Sequence, residues 1–111
     1  RLVLIRGAGR AFCTGIDLKQ LAAGETPQAY YEQWDRALRI LEQAEKVVIC
    51  AMHGYALGGG LQLALACDIR FGASRMRFAE SFVKLGIIPG DGGAWILTQL
   101  LGPARAAGLA F

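Results

Sequence analysis

Three consecutive glycines, Gly58–Gly60, precede the leucine-rich segment LQLALA, in which Gln62 is the only polar side chain. Glycines ahead of a helix make a tight turn, let a backbone or a ligand approach closely, or present free N–H groups to an anion. The segment therefore predicts a buried helix that begins directly after exposed backbone. Its spacing differs from GxxxxGK[ST], GxGxxG and GxSxG, which disfavours a P-loop, a dinucleotide site and a serine nucleophile. A close-packed turn without a ligand remains the alternative.

Two short apolar runs flank a long helical pattern. LVLI at 2–5 and VVICAM at 47–52 are typical of strands that are buried on both faces of a parallel sheet. The pattern at 26–46 predicts a helix with Thr26 as its N-cap and Pro27 at its first helical position. Strand, helix and strand in this order predict a right-handed crossover and an α/β fold.

Apolar side chains recur along one side of this long helix, at Tyr30, Trp34, Leu38 and Leu41, and we interpret this stripe as core packing. Farther along the chain, IRFGAS and MRFAES predict short strands with a turn near Ser74. GGAWILTQLLG predicts a third helix, capped by Asp91, packed through Trp95 and ended by Gly102 and Pro103.

The composition is apolar for an independent domain, with 54% hydrophobic residues and a mean hydropathy of +0.35. The 111 residues begin inside LVLI and end inside AAGLAF, so we expect the central part of a longer chain that is cut at both ends. No apolar stretch reaches the ~18 to 20 residues that span a bilayer, and the start lacks the features of a secretory signal. We expect a soluble protein.

The charged residues are scattered, 12 basic against 9 acidic, which argues against nucleic-acid binding but is compatible with an anionic ligand. Cys13, Cys50 and Cys67 are odd in number and lack CxxC spacing. This pattern disfavours a disulfide framework and a zinc site. We expect reduced thiols, a cytoplasmic location and no metal.

Three ordered motifs resemble those of the crotonase, or enoyl-CoA hydratase/isomerase, superfamily: RLVLIRGAGRAFCTGIDL, HGYALGGG followed by LALACDIR, and KLGIIPGDGG. The resemblance implies an α/β spiral of repeated ββα units, of which residues 1–111 are the central part of a single acyl-CoA-binding core domain. It also implies an acyl-CoA substrate, a role in fatty acid metabolism, and a homotrimer or dimer of trimers. No cofactor is implied beyond the coenzyme A that is part of the substrate.

The resemblance assigns roles to the first two glycine turns. The backbone N–H groups of Ile16 and Gly59 would form an oxyanion hole for the thioester carbonyl, where loss of one donor costs ~3 kcal/mol. The first turn would border the CoA moiety through Thr14, Gly15, Asp17, Leu18 and Lys19. Lys19 is either a charge partner for the CoA phosphates or an ordinary solvated lysine.

Two positions depart from the hydratase pattern, in which two glutamates activate water and protonate the substrate. The first glutamate would follow the middle glycine by three residues, where this chain has Gln62. An amide can position water or substrate, or satisfy nearby backbone, but it cannot take a proton at neutral pH. The second glutamate would precede Gly86 by four residues, where this chain has Phe82. Ordinary two-glutamate hydration is therefore disfavoured.

Other polar residues are candidates for the missing chemistry. Asp91 lies one residue beyond the position where the dehalogenase branch keeps a working acid, so it is a tentative acid/base as well as a candidate N-cap. Glu80 could share a strand face with Phe82, but we expect a solvated carboxylate. We expect His53 to bond loop backbone, and Asp68 to satisfy backbone or pair with Arg70.

The sequence thus predicts an enoyl-CoA hydratase/isomerase-like enzyme, a lyase or isomerase that works through a stabilised enolate. The alternative is an acyl-CoA-binding homologue that lacks hydratase activity because both glutamates are replaced.

Overall fold

The computed structural model describes residues 1–90 and 92–111, and Asp91 lies outside the described residues. One parallel sheet has the order β1-β2-β4 and a second pairs β3 with β5. The strands are β1 (Leu2–Arg6), β2 (Val47–Met52), β3 (Tyr55–Leu57), β4 (Ile69–Gly72) and β5 (Arg77–Ala79). The helices are α1 (Leu18–Ala22), α2 (Gln28–Glu42), α3 (Gly59–Leu65), a 3-10 helix (Ser81–Leu85), α4 (Gly93–Leu101) and α5 (Pro103–Ala110).

The two sheets grow together as the chain winds. β2 adds to the first sheet and β3 to the second, and β4 and β5 then repeat this pattern. In the preceding pass Cys13 forms a parallel bridge to Ala56, next to β3. The segment β2-β3-α3 is therefore one ββα unit between two similar passes. This arrangement confirms the predicted α/β class and the parallel pairing of the two apolar runs.

α3 lies between two apolar clusters, which explains its leucine-rich sequence. Ala64 packs with Phe12, Val48, Cys50, Ala56 and Cys67 on the side of the first sheet. Leu61 and Leu65 pack with Leu97 of α4 and Ala106 of α5. A helix that is apolar on all sides is stable only when it is buried on all sides.

The C-terminal end of α3 is satisfied by the two charged residues that follow it. Arg70 Nη1 donates to the carbonyl oxygens of Ala64, Leu65 and Cys67, which matches a cation to the negative end of the helix. Asp68 Oδ2 accepts a 2.7 Å hydrogen bond from the Val48 N–H. The expected structural role of Asp68 is confirmed.

Three expectations about local structure are wrong. The N-cap of α2 is Pro27 rather than Thr26. Pro27 has a φ of −65° and an extended ψ of 146°, so the first helical residue is Gln28. β1 is not buried on both faces, because Leu2 is 59% exposed and Val3, which points to the opposite face, is 37% exposed. Trp95 does not pack α4 into the core, since it is 69% exposed.

The three cysteines are free thiols. Burial raises the pKa of Cys50 from 9.0 to about 12, and the neighbouring Cys67 adds to this shift. Burial also raises the pKa of the Cys67 thiol. Both thiols therefore stay protonated in the folded protein at neutral pH, which agrees with the expected reduced state.

We expect the ionisation of Cys50 to lower stability at alkaline pH. Between pH ~9 and ~12 the folded thiol keeps a proton that the unfolded thiol has lost, so the free energy of unfolding falls as the pH rises. The stability advantage of wild type over Cys50→Ala should therefore shrink between pH ~8 and ~10.5, as measured by urea denaturation. The advantage over Val48→Ala, a matched apolar core change, should stay constant. If the stability difference from both variants stays constant across this pH range, the raised pKa of Cys50 is contradicted.

Gly60 lies close against the preceding pass of the chain, because a Cβ there would overlap the carbonyl group of Cys13. We expect Gly60→Ala to lower the free energy of unfolding by about 1–3 kcal/mol, since the overlap must displace backbone. Gly108→Ala in α5 is the control, because its Cβ would meet nothing within 4 Å. That change should be neutral or stabilising by up to ~1 kcal/mol. Equal stability of both variants in urea denaturation would contradict the prediction.

Candidate active site

The first and second glycine turns face each other in space. Gly15 has a φ of +82°, and a Cβ on it would lie 3.2 Å from the Gly59 nitrogen. A Cβ on Gly59 would in turn lie 3.7 Å from the Gly15 Cα. Left-handed backbone and the lack of side chains allow this close approach. Two turns that are far apart in sequence therefore form one site.

Two backbone N–H groups at this site have no acceptor within residues 1–90 and 92–111. They belong to Ile16, directly after Gly15, and to Gly59. Gly59 is the first residue of α3, so its N–H has no intrahelical partner. A pair of fixed donors on facing backbones is the arrangement that can stabilise an oxyanion. The structure thus brings both predicted donors together, while their role in catalysis stays a prediction.

Two clefts meet at the paired glycine turns. The aromatic cleft has a volume of about 100 Å³ and is lined by Ile16, Leu21, Tyr30, Tyr31, Trp34, Gly59, Gln62, Phe82 and Ile87. The loop groove has a volume of about 220 Å³ and is lined by Thr14, Gly15, Ile16, Leu18, Leu57, Gly58, Gly59, Ser81, Phe82, Lys84 and Leu85. Ile16, Gly59 and Phe82 belong to both linings. The free N–H groups therefore lie at the boundary that the clefts share.

The apolar stripe of α2 is divided between two tasks. Leu38 is buried in the fold, as expected for core packing. Tyr30 and Trp34 instead line the aromatic cleft, where Tyr30 also packs edge-to-face on Tyr31 with the ring centroids 5.5 Å apart. The interpretation of the whole stripe as core is therefore wrong for its N-terminal half. Helical periodicity shows which side is apolar but not whether a protein segment or a cleft faces it.

Gln62 is almost completely buried, at 1% exposure. Its Nε2 donates a 2.7 Å hydrogen bond to the Gly90 carbonyl oxygen, which also accepts from the Gly93 N–H at 3.1 Å. The amide thus links α3 to the turn before α4. Gln62 therefore satisfies nearby backbone, which is one of the roles that the sequence analysis expected for it. Its Oε1 is buried and receives no hydrogen bond within the described parts of the chain.

Phe82 lies in the 3-10 helix, beyond the end of β5. Its ring faces Gly58, where a Cβ would lie 3.5 Å from the ring Cζ. Phe82 and Glu80 cannot share a strand face, because β5 ends at Ala79. The apolar ring therefore stands at the shared boundary of the two clefts.

Glu80 is not the solvated carboxylate that we expected, because it is only 1% exposed. A Cβ on Gly93 would lie 2.6 Å from Glu80 Oε1 and 2.9 Å from Gln62 Nε2, so both polar groups approach the same bare backbone. The Glu80 N–H donates to the Leu109 carbonyl of α5 at 3.0 Å. Packing of α4 and α5 over this position buries the carboxyl, and no local pattern signals it.

The remaining candidates divide clearly. Asp17 caps α1, accepting from the Lys19 N–H at 2.8 Å, and it is not among the residues that line the loop groove. His53 Nε2 lies 2.8 Å from the Gly9 carbonyl oxygen, as expected. Lys19 is exposed and outside the lining of the loop groove, whereas Lys84 lines it and was missed by the sequence analysis. Asp91 lies outside the described residues.

Within the described residues no group of His, Cys, Asp and Glu side chains is suited to hold a metal ion. In the same part of the chain, no helix has the length and apolar character needed to cross a bilayer.

The match to the enoyl-CoA hydratase/isomerase family extends over residues 1–111, and the chain therefore belongs to this family. It is 41% identical to 1,2-epoxyphenylacetyl-CoA isomerase of Escherichia coli, over 99% of this chain and 44% of that protein. It is 40% identical to crotonyl-CoA hydratase of Syntrophomonas wolfei, over 99% of this chain and 44% of that protein.

Comparison with solved structures places the chain in the same family. The crystal structure of an enoyl-CoA hydratase from Polaromonas sp. JS666 matches 98% of this chain and 44% of its own, with a TM-score of 0.89 at 37% identity. The crotonase-like fold is confirmed. The chain spans less than half the length of these relatives.

Proposed function

We propose that the protein to which this chain belongs acts on an acyl-CoA thioester and stabilises an enolate-like oxygen with the N–H groups of Ile16 and Gly59. One observation carries the proposal: two N–H groups without acceptors in the described residues lie on facing backbones, at the boundary of two clefts. Donors held in place by the fold need no reorganisation when charge develops on the substrate oxygen. Family membership, and relatives whose names specify CoA thioesters, support the same substrate class.

The two clefts suit the two ends of such a substrate. The loop groove would take the CoA moiety along Thr14, Gly15 and Leu18, with Lys84 available to pair with an anionic group. Lys19 would reach the phosphates from α1, and Asp17 would act by capping that helix. The aromatic cleft would then take the acyl group. The thioester carbonyl would lie at the shared boundary, next to the two donors.

The reaction that fits best is proton transfer within the acyl group rather than addition of water. Gln62 and Phe82 occupy the positions of the two hydratase glutamates, and neither side chain can accept a proton at neutral pH. A base that removes a proton beside the thioester sends the electron pair to the carbonyl oxygen. Return of that proton to another carbon shifts the double bond and regenerates the base.

Asp91 is the proposed acid/base. Its side chain lies outside the described residues, so the assignment rests on its sequence position beside Gly90. The Gly90 carbonyl is held by Gln62, from the same helix that supplies the Gly59 donor. Gln62 would thereby position the turn that bears Asp91. The proposal also includes the cytoplasmic homotrimer or dimer of trimers that the family resemblance implies.

We expect Asp91→Ala in the full-length protein to lower double-bond isomerisation of a 3-enoyl-CoA at least 100-fold, because a general base contributes roughly this much. Glu80→Gln should stay within about threefold of wild type, since Glu80 does not line the aromatic cleft. Absorbance of the conjugated product gives the rates, and circular dichroism checks folding. Full activity of Asp91→Ala would refute the assignment. Binding of acyl-CoA by wild type without any turnover would favour the alternative, an acyl-CoA-binding homologue.

We expect Gln62→Glu to raise hydration of crotonyl-CoA above the wild-type rate, because it restores a carboxyl at a hydratase position. The variant should also lose about 1–3 kcal/mol of stability, since a carboxylate cannot donate to the Gly90 carbonyl. Gln99→Glu makes the same change at an exposed site of α4 and should alter neither property. No gain in hydration would count against the placement of Gln62 beside the substrate.

A further inference from the structure

Aromatic side chains form much of the wall of the aromatic cleft. Four of its nine lining residues are aromatic, and they come from two separate elements: Tyr30, Tyr31 and Trp34 from α2, and Phe82 from the 3-10 helix. Among the residues that the structure describes, no charged side chain lines this cleft. The N-terminal half of α2 therefore presents rings, rather than only aliphatic groups, to the space where the acyl group is proposed to bind.

Two of these rings lie directly beside the paired glycine turns. A Cβ on Gly59 would lie 3.4 Å from Cζ2 of the Trp34 indole. A Cβ on the preceding Gly58 would lie 3.5 Å from Cζ of the Phe82 ring. Since the Gly59 N–H is one of the two candidate oxyanion donors, both rings border the part of the cleft next to the proposed thioester carbonyl. A substrate group that contacts both rings must be attached within a few bonds of that carbonyl.

The cleft is of the size of a single ring. Its volume is about 100 Å³, and a closed apolar cavity of ~150 Å³ holds benzene, so an open cleft of this volume accommodates most of one ring. Aromatic rings attract one another in offset-stacked or edge-to-face pairs by more than their buried area accounts for. Tyr30 and Tyr31 already form such an edge-to-face pair in this wall. An aryl group therefore gains more from this lining than an aliphatic group of equal size.

We propose that Trp34 and Phe82 select acyl-CoA thioesters whose acyl group carries an aromatic ring within a few bonds of the thioester carbonyl, and that this ring packs on both side chains. This inference rests on the proposed function and narrows its substrate class to aryl-substituted acyl-CoA thioesters. Where the hydratase pattern has a proton acceptor, Phe82 then contributes a recognition surface instead. The two residues determine specificity and take no part in proton transfer.

The first test compares aromatic and saturated rings on the full-length wild-type protein. Dissociation constants are measured by calorimetry for two matched pairs, phenylacetyl-CoA with cyclohexylacetyl-CoA and 3-phenylpropanoyl-CoA with 3-cyclohexylpropanoyl-CoA. Cyclohexyl has as many carbon atoms as phenyl and more apolar surface, so burial alone would favour it. In at least one pair the aryl thioester should bind about threefold or more tightly than its partner. A smaller ratio in both pairs would overturn this inference and leave the proposed function standing, whereas failure of all four thioesters to bind would overturn both.

Variants provide the second test, which assigns the preference to the two rings. Trp34→Leu and Phe82→Leu each replace a ring by an aliphatic side chain, so each should reduce the wild-type preference to about half or less. Trp34→Phe keeps a ring and should keep more than half of the preference, which distinguishes lost recognition from altered packing of α2. Trp95→Leu is the matched control and should bind as wild type does, because Trp95 is exposed on α4.

Circular dichroism checks that each variant is folded, and if one leucine variant does not fold, the other decides. A wild-type preference that persists in the folded leucine variants would overturn the assignment to Trp34 and Phe82. Loss of the preference in Trp95→Leu would overturn it as well, because that ring lies outside the lining of the cleft.

Discussion

The missing side chain at Gly60 sets the distance between successive passes of the spiral. With no Cβ in the way, the carbonyl of Cys13 lies directly against the first turn of α3. Two hydrogen bonds join the same two passes. The Phe12 N–H donates to the His53 carbonyl at 2.9 Å, and the Leu57 N–H donates to the Cys13 carbonyl at 3.1 Å. Backbone pairing of this kind depends on close approach, because hydrogen bonds weaken steeply with distance. The contact between Gly15 and its counterpart at the start of α3 follows from this geometry.

Gln62 is the second constraint, because it is a polar group inside an otherwise apolar helix. Burying an amide is costly unless its hydrogen bonds are recovered, and half of this amide is satisfied by the Gly90 carbonyl. The bond joins α3 to the turn before α4, and the buried Glu80 approaches the same point beside Gly93. One helix therefore links an N–H donor at its start to the turn that precedes Asp91.

Most of the secondary structure could be predicted from the sequence, because it depends on local patterns. The strands at 2–6 and 47–52 and the helix after the glycine run follow from short apolar runs and turn residues. Three of the errors share one cause. Trp34 lines a cleft, Trp95 is exposed and Glu80 is buried because of what other segments do or do not place over them. Apolar periodicity contains no information about those distant neighbours.

The sequence by itself determined the family, the two glycine turns that supply the candidate donors, and the replacement of both hydratase glutamates by Gln62 and Phe82. These are facts of residue identity and spacing along the chain. Only the tertiary structure decided that Gly15 faces Gly59 and that the Gln62 amide nitrogen is bound, while its oxygen has no hydrogen bond from residues 1–90 and 92–111. Those features depend on partners 28 or more residues away, such as the Gly90 carbonyl for Gln62. Hydrogen bonds and burial between distant segments exist only once the chain has folded.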